Sequence, residues 1–200
     1  MKYTAAFLVC ALIAASVFAA DGTGDPEPAT ALLIIDIQDF YFPGGKVPLV
    51  EPEAAAANAA EVLAAFRAAG KPVIHVRHDV KDGGAIHASV APIEGEKVFT
   101  KSEVSCFNGT EVLASLHELG IKRLVLVGMQ THMCLEAATR AAHDLGFECI
   151  VVGDACATRD LTYGGTTVKA ADVHASTLAT LDRTYAKVVD TETFLGETKQ

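Results

Sequence analysis

The run Leu124-Val125-Leu126-Val127 puts four branched apolar residues in a row with no polar alternation. A strand of that kind is covered on both faces, which is the habit of parallel sheets flanked by helices. Gly128 to Met133 follows as a tight passage, and a helix opens near Cys134. The cysteine is thus placed at a helix N-terminus, beyond the carboxyl end of a strand, where open α/β sheets bind ligands. Free N–H groups and the helix dipole at such a position stabilise a thiolate, lowering its pKa from about 8.5, and can hold the oxyanion of a carbonyl under attack. The competing reading of Cys134 is one more small buried apolar residue.

The rest of the chain repeats the pattern. Ala31 to Ile35 is an apolar strand whose first charge, Asp36, arrives at its end. Strands are also expected at Val73–His78, at Val98–Lys101, at Phe147–Val152 with Gly153-Asp154-Ala155-Cys156 as its exit turn, and at Tyr185–Val189. Helices are expected at Glu53–Ala69, Thr110–Leu119, from Cys134 to about Leu145, and at Val168–Leu181, several of them ended by glycine. Strands alternating with helices imply right-handed crossovers. The fold class is therefore α/β: a three-layer, Rossmann-like, mainly parallel sheet of about six strands with helices on both faces.

Met1 to Ala19 has one lysine, an apolar run and a small-residue ending, the pattern of a cleavable secretory signal peptide. An uncleaved anchor is the alternative. Residues 20–30, with Gly22, Gly24, Pro26 and Pro28, form a polar linker, and 31–200 is one domain. The expected location is outside the cell, with no membrane contact after cleavage. The formal charge of −9, one unit more negative without Lys2, argues against nucleic acid or an anionic membrane as partner. A small-molecule substrate is the expected partner. Cys149 and Cys156 are either a disulfide or two free thiols, the second being commoner for strand cysteines.

Asp36, Lys101 and Cys134 each follow an apolar strand, so one sheet edge can gather a thiol, a carboxylate to take its proton and a lysine to hold the charges. The nearby stretches Leu-Leu-Ile-Ile-Asp36-Ile-Gln38-Asp39-Phe40, Thr100-Lys101, Gly128-Met129-Gln130-Thr131-His132-Met133-Cys134 and Gly153-Asp154-Ala155-Cys156-Ala157-Thr158 together resemble the isochorismatase-like cysteine hydrolases, across about residues 30 to 190. The resemblance implies catalytic Asp36, Lys101 and Cys134, oxyanion donors at the backbone N–H groups of Gln130 and Cys134, and a cis peptide bond at Met129-Gln130. It implies no cofactor. Some relatives, the nicotinamidases, carry an Asp-x-His metal motif; His75, His78, Asp79 and His87 do not form one, so no metal site is expected. Relatives are often dimers or tetramers, which leaves a homo-oligomer open.

Gln38, Phe40, Phe42, Phe107 and His132 are the substrate-binding candidates, with Arg77 and Arg159 as further polar groups. Phe40 to Phe42 have a second reading, fastening their loop to the core. Asp36 read alone is a helix cap, and Lys101 a solvated loop lysine. Taken together, the residues suggest a secreted enzyme that cleaves a C–N bond through a thioester. Hydrolysis of a vinyl ether, as in isochorismatases, and a catalytically silent binding protein are the alternatives. True isochorismatases need an acid rather than a thiol, so Cys134 favours the amide branch.

Overall fold

The computed structural model describes residues 27–197; the expected signal peptide and most of the linker lie outside the described residues. A parallel six-stranded sheet forms the middle layer. Its centre is β1 (Thr30–Ile35), flanked by β2 (Val73–His78) and β4 (Arg123–Met129). Outside β2 lies β3 (Lys97–Lys101), and beyond β4 come β5 (Glu148–Ala157) and β8 (Lys187–Val189), giving the order β3-β2-β1-β4-β5-β8.

Both faces of the sheet are covered, which is why its central strands carry no polar alternation. Leu32 and Ile34 of β1, with Val125 and Val127 of β4, pack beneath α1 (Pro52–Ala68) and the short α5 (Thr191–Glu197). Ala31, Leu33 and Ile35, with Leu124 and Leu126, face α2 (Val112–Glu118), α3 (Glu136–Asp144) and α4 (Ala170–Leu181). The alanine-rich face of α1 buries Ala55, Ala56, Ala59, Val62, Leu63 and Phe66 at helical spacing. Pro52 opens that helix, and Gly70, at φ +61, closes it, with the Lys71 N–H reaching back to the Phe66 carbonyl.

Two features differ from the sequence expectation. Gly153 to Cys156 is not an exit turn but part of β5, which runs on to Ala157. Leu126 pairs with Val151 whereas Gly128 pairs with Cys156, so β5 carries extra residues and bulges there. Gly-Asp, a turn signal on composition, serves that bulge, and Asp154 accepts from both the N–H and the hydroxyl of Thr191. An antiparallel hairpin, β6 (Leu161–Tyr163) and β7 (Thr166–Val168), turns at Gly164-Gly165 and delays α4 to Ala170. All four described cysteines, Cys149 and Cys156 included, are free thiols.

Gly128 is where β4 crosses the end of β1. Its φ is +137, and a Cβ there would sit 2.0 Å from the Ile35 carbonyl oxygen. Gly128→Ala is therefore expected to cost about 3 kcal/mol or more, read as a drop in the urea midpoint. An unchanged midpoint would mean that the strands separate at little cost.

The loop before β3 is tied down through Glu96. Its carboxylate accepts from Arg67 Nε at 2.7 Å and the Ile93 N–H at 3.0 Å, and contacts His75 Nε2 at 2.8 Å. Burial pushes the Glu96 carboxyl up, but Arg67, the Ile93 N–H and His75 outweigh it and hold it down to about 2. Burial also holds His75 below its ordinary value, against the pull of Glu96. Both groups bind protons more readily in the unfolded chain, so their contribution is complete above about pH 6.5 and drains as pH falls from there. Glu96→Gln should lower stability at pH 7 by about 2 kcal/mol and lose less than wild type between about pH 4.5 and 3. Parallel losses in a urea series over that range would remove Glu96 from the acid response.

Candidate active site

Three strand ends supply the site. Asp36 directly follows β1 with φ +51, its N–H bonded to the Val76 carbonyl at 2.9 Å. Lys101 is the last residue of β3 and stands in register with His78 on β2. Since β2 lies between β3 and β1, only a long side chain can bridge the gap. Cys134 lies on a π-helical turn, Thr131–Leu135, that joins β4 to α3, and the Gln130 carbonyl accepts from the N–H groups of Met133 at 3.0 Å and Leu135 at 3.4 Å. The Met129-Gln130 peptide bond is cis.

The three side chains meet out of water. Asp36 is 0% exposed, Lys101 2% and Cys134 5%. Lys101 Nζ lies 2.8 Å from Asp36 Oδ2 and donates to Cys134 Sγ at 3.2 Å and the Glu103 carbonyl at 3.1 Å. Neither carboxylate oxygen of Asp36 has a hydrogen-bond partner among the described residues, so Lys101 holds Oδ2 as an ion pair. Burial raises the Asp36 carboxyl above its ordinary range, with Lys101 opposing. Burial acts to lower Lys101, but Asp36 and Cys134 more than offset it, and the ammonium is held firmly charged.

The thiol departs from the sequence expectation. Burial, reinforced by the negative charge of Asp36 and opposed by Lys101, pushes Cys134 up to about 12. Cys134 does lie in the first turn of a continuous helix, the π turn running straight into α3, but burial and the Asp36 charge outweigh that terminus. The resting site is thus a Lys101–Asp36 ion pair beside a neutral thiol. Its chemistry is a thiol that reacts only when a base takes its proton, with Asp36 Oδ1 unoccupied for that task.

The remaining candidates divide. Gln38 is wholly buried, and its amide is spent on the backbone: Nε2 donates to the carbonyls of His78 and Gly84, and Oε1 accepts from the His78 N–H at 2.7 Å. It braces the site. Phe40 packs on Tyr41 with ring centroids 4.0 Å apart, and Phe42 stacks on His87 at 3.7 Å, both rings buried. Phe107 is half-buried beside Phe147, towards α2 and α3. His132 Nδ1 contacts the Thr158 hydroxyl at 2.6 Å, and burial with the Arg159 charge keeps its ring from protonating at its usual pH. Arg159 Nε donates to Gln130 Oε1, and Gln130 Nε2 to the Tyr41 hydroxyl.

Two partners were not anticipated, Tyr41 for Gln130 and His78 for Lys101, the latter with Nδ1 3.2 Å from Nζ. The second had a signal: His78 and Lys101 both end parallel strands that pair. Among the described residues no three His, Cys, Asp or Glu side chains group closely enough to hold a metal ion.

The Isochorismatase domain family matches residues 30–193. The chain belongs to that family. An uncharacterized member, YddQ of Bacillus subtilis, is 45% identical over 83% of this chain and 98% of its own. The secreted isochorismatase effector Isc1 of Verticillium dahliae is 32% identical over 66% of this chain and 74% of its own. A crystal structure from Oleispira antarctica, assigned as an isochorismatase hydrolase, superposes with a TM-score of 0.82 at 46% identity, covering 86% of this chain and 99% of that one. More distant relatives are a streptothricin hydrolase of Streptomyces noursei, 32% identical over 66% of this chain and 50% of its own, and nicotinamidase 3 of Arabidopsis thaliana, 26% identical over 80% and 84%. The family and its α/β fold make the protein an isochorismatase-superfamily hydrolase.

A neutral resting thiol has a direct consequence. Raising a thiol from 9.0 to about 12 cuts its thiolate fraction at neutral pH by about a thousandfold. Cys134 in the folded protein should therefore react with iodoacetamide at pH 7 at least about a hundredfold more slowly than in urea, measured by peptide mass mapping. Faster reaction in the folded protein would mean a preformed thiolate.

Proposed function

We propose that the protein is a secreted cysteine amidohydrolase that cleaves a C–N bond of a small molecule through a thioester. The observation that carries this reading is the Cys134 sulfur within 3.2 Å of an ammonium that also holds the buried Asp36. The names of two relatives, a nicotinamidase and a streptothricin hydrolase, support it. The secretory part rests on the pattern of residues 1–19 and on the name of the Verticillium relative.

Asp36 takes the thiol proton as Sγ bonds to the carbonyl carbon, and the carbonyl electron pair moves onto oxygen. The N–H groups of Gln130 and Cys134 are assigned to that oxyanion. Lys101 keeps the Asp36 and sulfur charges balanced as they change. When the tetrahedral adduct collapses, Asp36 returns its proton to the departing amine and the thioester remains. Water then attacks the thioester, Asp36 accepts its proton, and the acid leaves as that proton goes back to sulfur. Raising the Asp36 carboxyl towards neutrality suits a group that must hold a proton during each half of the cycle, while the tetrahedral adduct exists.

The same raised carboxyl favours a second reading, since vinyl-ether hydrolysis needs an acid, and the Verticillium relative is named an isochorismatase. The sulfur separates the two. With a panel of amides and isochorismate, Cys134→Ala should abolish amide turnover and remove an acyl adduct seen by intact mass; Asp36→Asn should lower kcat by about a thousandfold or more. Isochorismate turnover that survives Cys134→Ala but not Asp36→Asn would replace the amidase reading with the vinyl-ether one. For secretion, the N-terminus of protein recovered from the medium should be Ala20, and full retention in the cell would reject it.

A further inference from the structure

Arg67, Arg123, Arg140 and Arg183 each pair with a carboxylate of the chain. Arg159 has none among the described residues, although acidic groups outnumber basic ones and the formal charge is −9. The acids around it are engaged elsewhere. Asp160 accepts from Lys169 Nζ at 2.9 Å and from the Ala170 N–H at 2.8 Å. Glu136, whose charge reaches the His132 ring as that of Arg159 does, accepts from Arg140 at 2.7 Å. Arg159 is half-buried, and half-burying a guanidinium without a counter-charge costs stability that an anionic ligand returns on binding.

The fold sets this arginine beside the catalytic turn. Met129, the last residue of β4, pairs with Ala157, the last of β5, so Gln130 and Arg159 leave the sheet side by side. Arg159 Nε donates to Gln130 Oε1 at 3.2 Å, and Gln130 Nε2 donates to the Tyr41 hydroxyl at 3.4 Å, which fixes the buried amide at both ends. Burial pushes the Tyr41 phenol up, the Asp36 and Cys134 charges add to that, and Arg159 opposes them. One ring is therefore in range of both the catalytic groups and the guanidinium. Only Nε of Arg159 is committed. Its two terminal nitrogens have no partner among the described residues and, unlike Arg77 Nε, are not shut away from solvent. Together they form the fork that takes a carboxylate through two parallel N–H···O bonds.

We propose that Arg159 is a specificity-determining residue that binds a carboxylate of the substrate, so that the amide hydrolysed carries an acid group roughly one glutamine side chain from the scissile carbonyl. This deepens the amidohydrolase reading and rests on Cys134 as its nucleophile. Gln130 sets the spacing, because its N–H is assigned to the oxyanion while its side-chain amide holds the guanidinium. Lys101 does not offer the same seat, since its ammonium is buried and already paired with Asp36. The net charge of the chain repels anions at a distance, so an acid group bound here needs a local cation. Arg159 stays protonated throughout and makes or breaks no covalent bond.

The test uses two pairs of alkylating reagents, bromoacetylglycine and bromoacetyl-β-alanine, each beside its uncharged carboxamide. Modification of Cys134 is followed at pH 8.5 by peptide mass mapping, in the folded protein and in urea, where the ratio of acid to amide rates gives the intrinsic reactivity. Relative to that ratio, the folded wild type should prefer the acid of at least one pair by about tenfold. Arg159→Gln should show no preference, and Arg159→Lys, which keeps the charge without the fork, should fall between. The carboxamides should modify Arg159→Gln at the wild-type rate, which separates a lost carboxylate seat from altered access or folding. Should Arg159→Gln lose its thermal transition, Arg159→Met takes its place with the same expectation. Absence of any acid preference in the wild type, or a preference that persists in Arg159→Gln, would overturn the proposal. If the carboxamides modify Cys134 and the acids gain nothing, the carboxylate seat fails alone. If Cys134 in the folded protein resists all four reagents, the nucleophile reading fails with it.

Discussion

A lysine and an aspartate paired away from water set the terms for everything around them. Removing each charge from water costs several kcal/mol, and replacing such a pair by apolar side chains often leaves a protein as stable or more so. Stability alone therefore does not explain why β3 ends in Lys101 or why Asp36 follows β1 at a left-handed φ. The pair also needs the fold to hold it. Lys101 reaches Asp36 across the end of β2, which requires β1, β2 and β3 to end level; the register Ile35 to Val76 and His78 to Lys101 provides that. Gln38 and Gly128 serve the same alignment, one by fastening the end of β2, the other by letting β4 pass against Ile35.

With the pair fixed, the electrostatics of the thiol follow. Low dielectric strengthens the attraction within the pair and raises the cost of a third, unbalanced charge. A thiolate beside Asp36 would be such a charge, which is why Cys134 stays neutral despite the ammonium 3.2 Å away. Proton transfer to Asp36 leaves the total charge of the three groups unchanged, as one negative charge moves from oxygen to sulfur within reach of one ammonium. In the proposed mechanism that exchange is the favoured step, because burial penalises any that would leave an unbalanced charge.

Much of this was legible in the sequence, for physical reasons. Non-alternating apolar runs announce strands buried on both faces, and polar residues that end such runs fall at one sheet edge, so Asp36, Lys101 and Cys134 were recognisable as a group. What sequence could not supply was summed burial. A helix-terminus rule predicts a lowered thiol, whereas burial and the Asp36 charge outweigh the terminus at which Cys134 lies. Gly153-Asp154 looked like a turn because a bulge and a turn use the same residues, and only pairing with β4 separates them. Gln38 looked like a pocket residue because it neighbours Asp36, yet its amide is consumed by backbone groups 40 and 46 positions away in sequence. The His78 contact depended on strand register, which two patterns read separately do not disclose.

The choice between amide and vinyl-ether chemistry comes down to what the buried carboxyl must do first. An acid that protonates an alkene must begin the cycle holding a proton, whereas a base for a thiol must begin without one. Burial favours the first and Lys101 the second. For a vinyl-ether enzyme the lysine would be an obstacle, because an ammonium 2.8 Å away stabilises the carboxylate that such an enzyme must avoid. For a thiol enzyme the same lysine favours the carboxylate that the base needs, against burial, and its contact with sulfur takes up the charge when the proton moves. One ammonium in contact with both the carboxylate and the sulfur therefore works against the acid mechanism and with the proposed nucleophilic one.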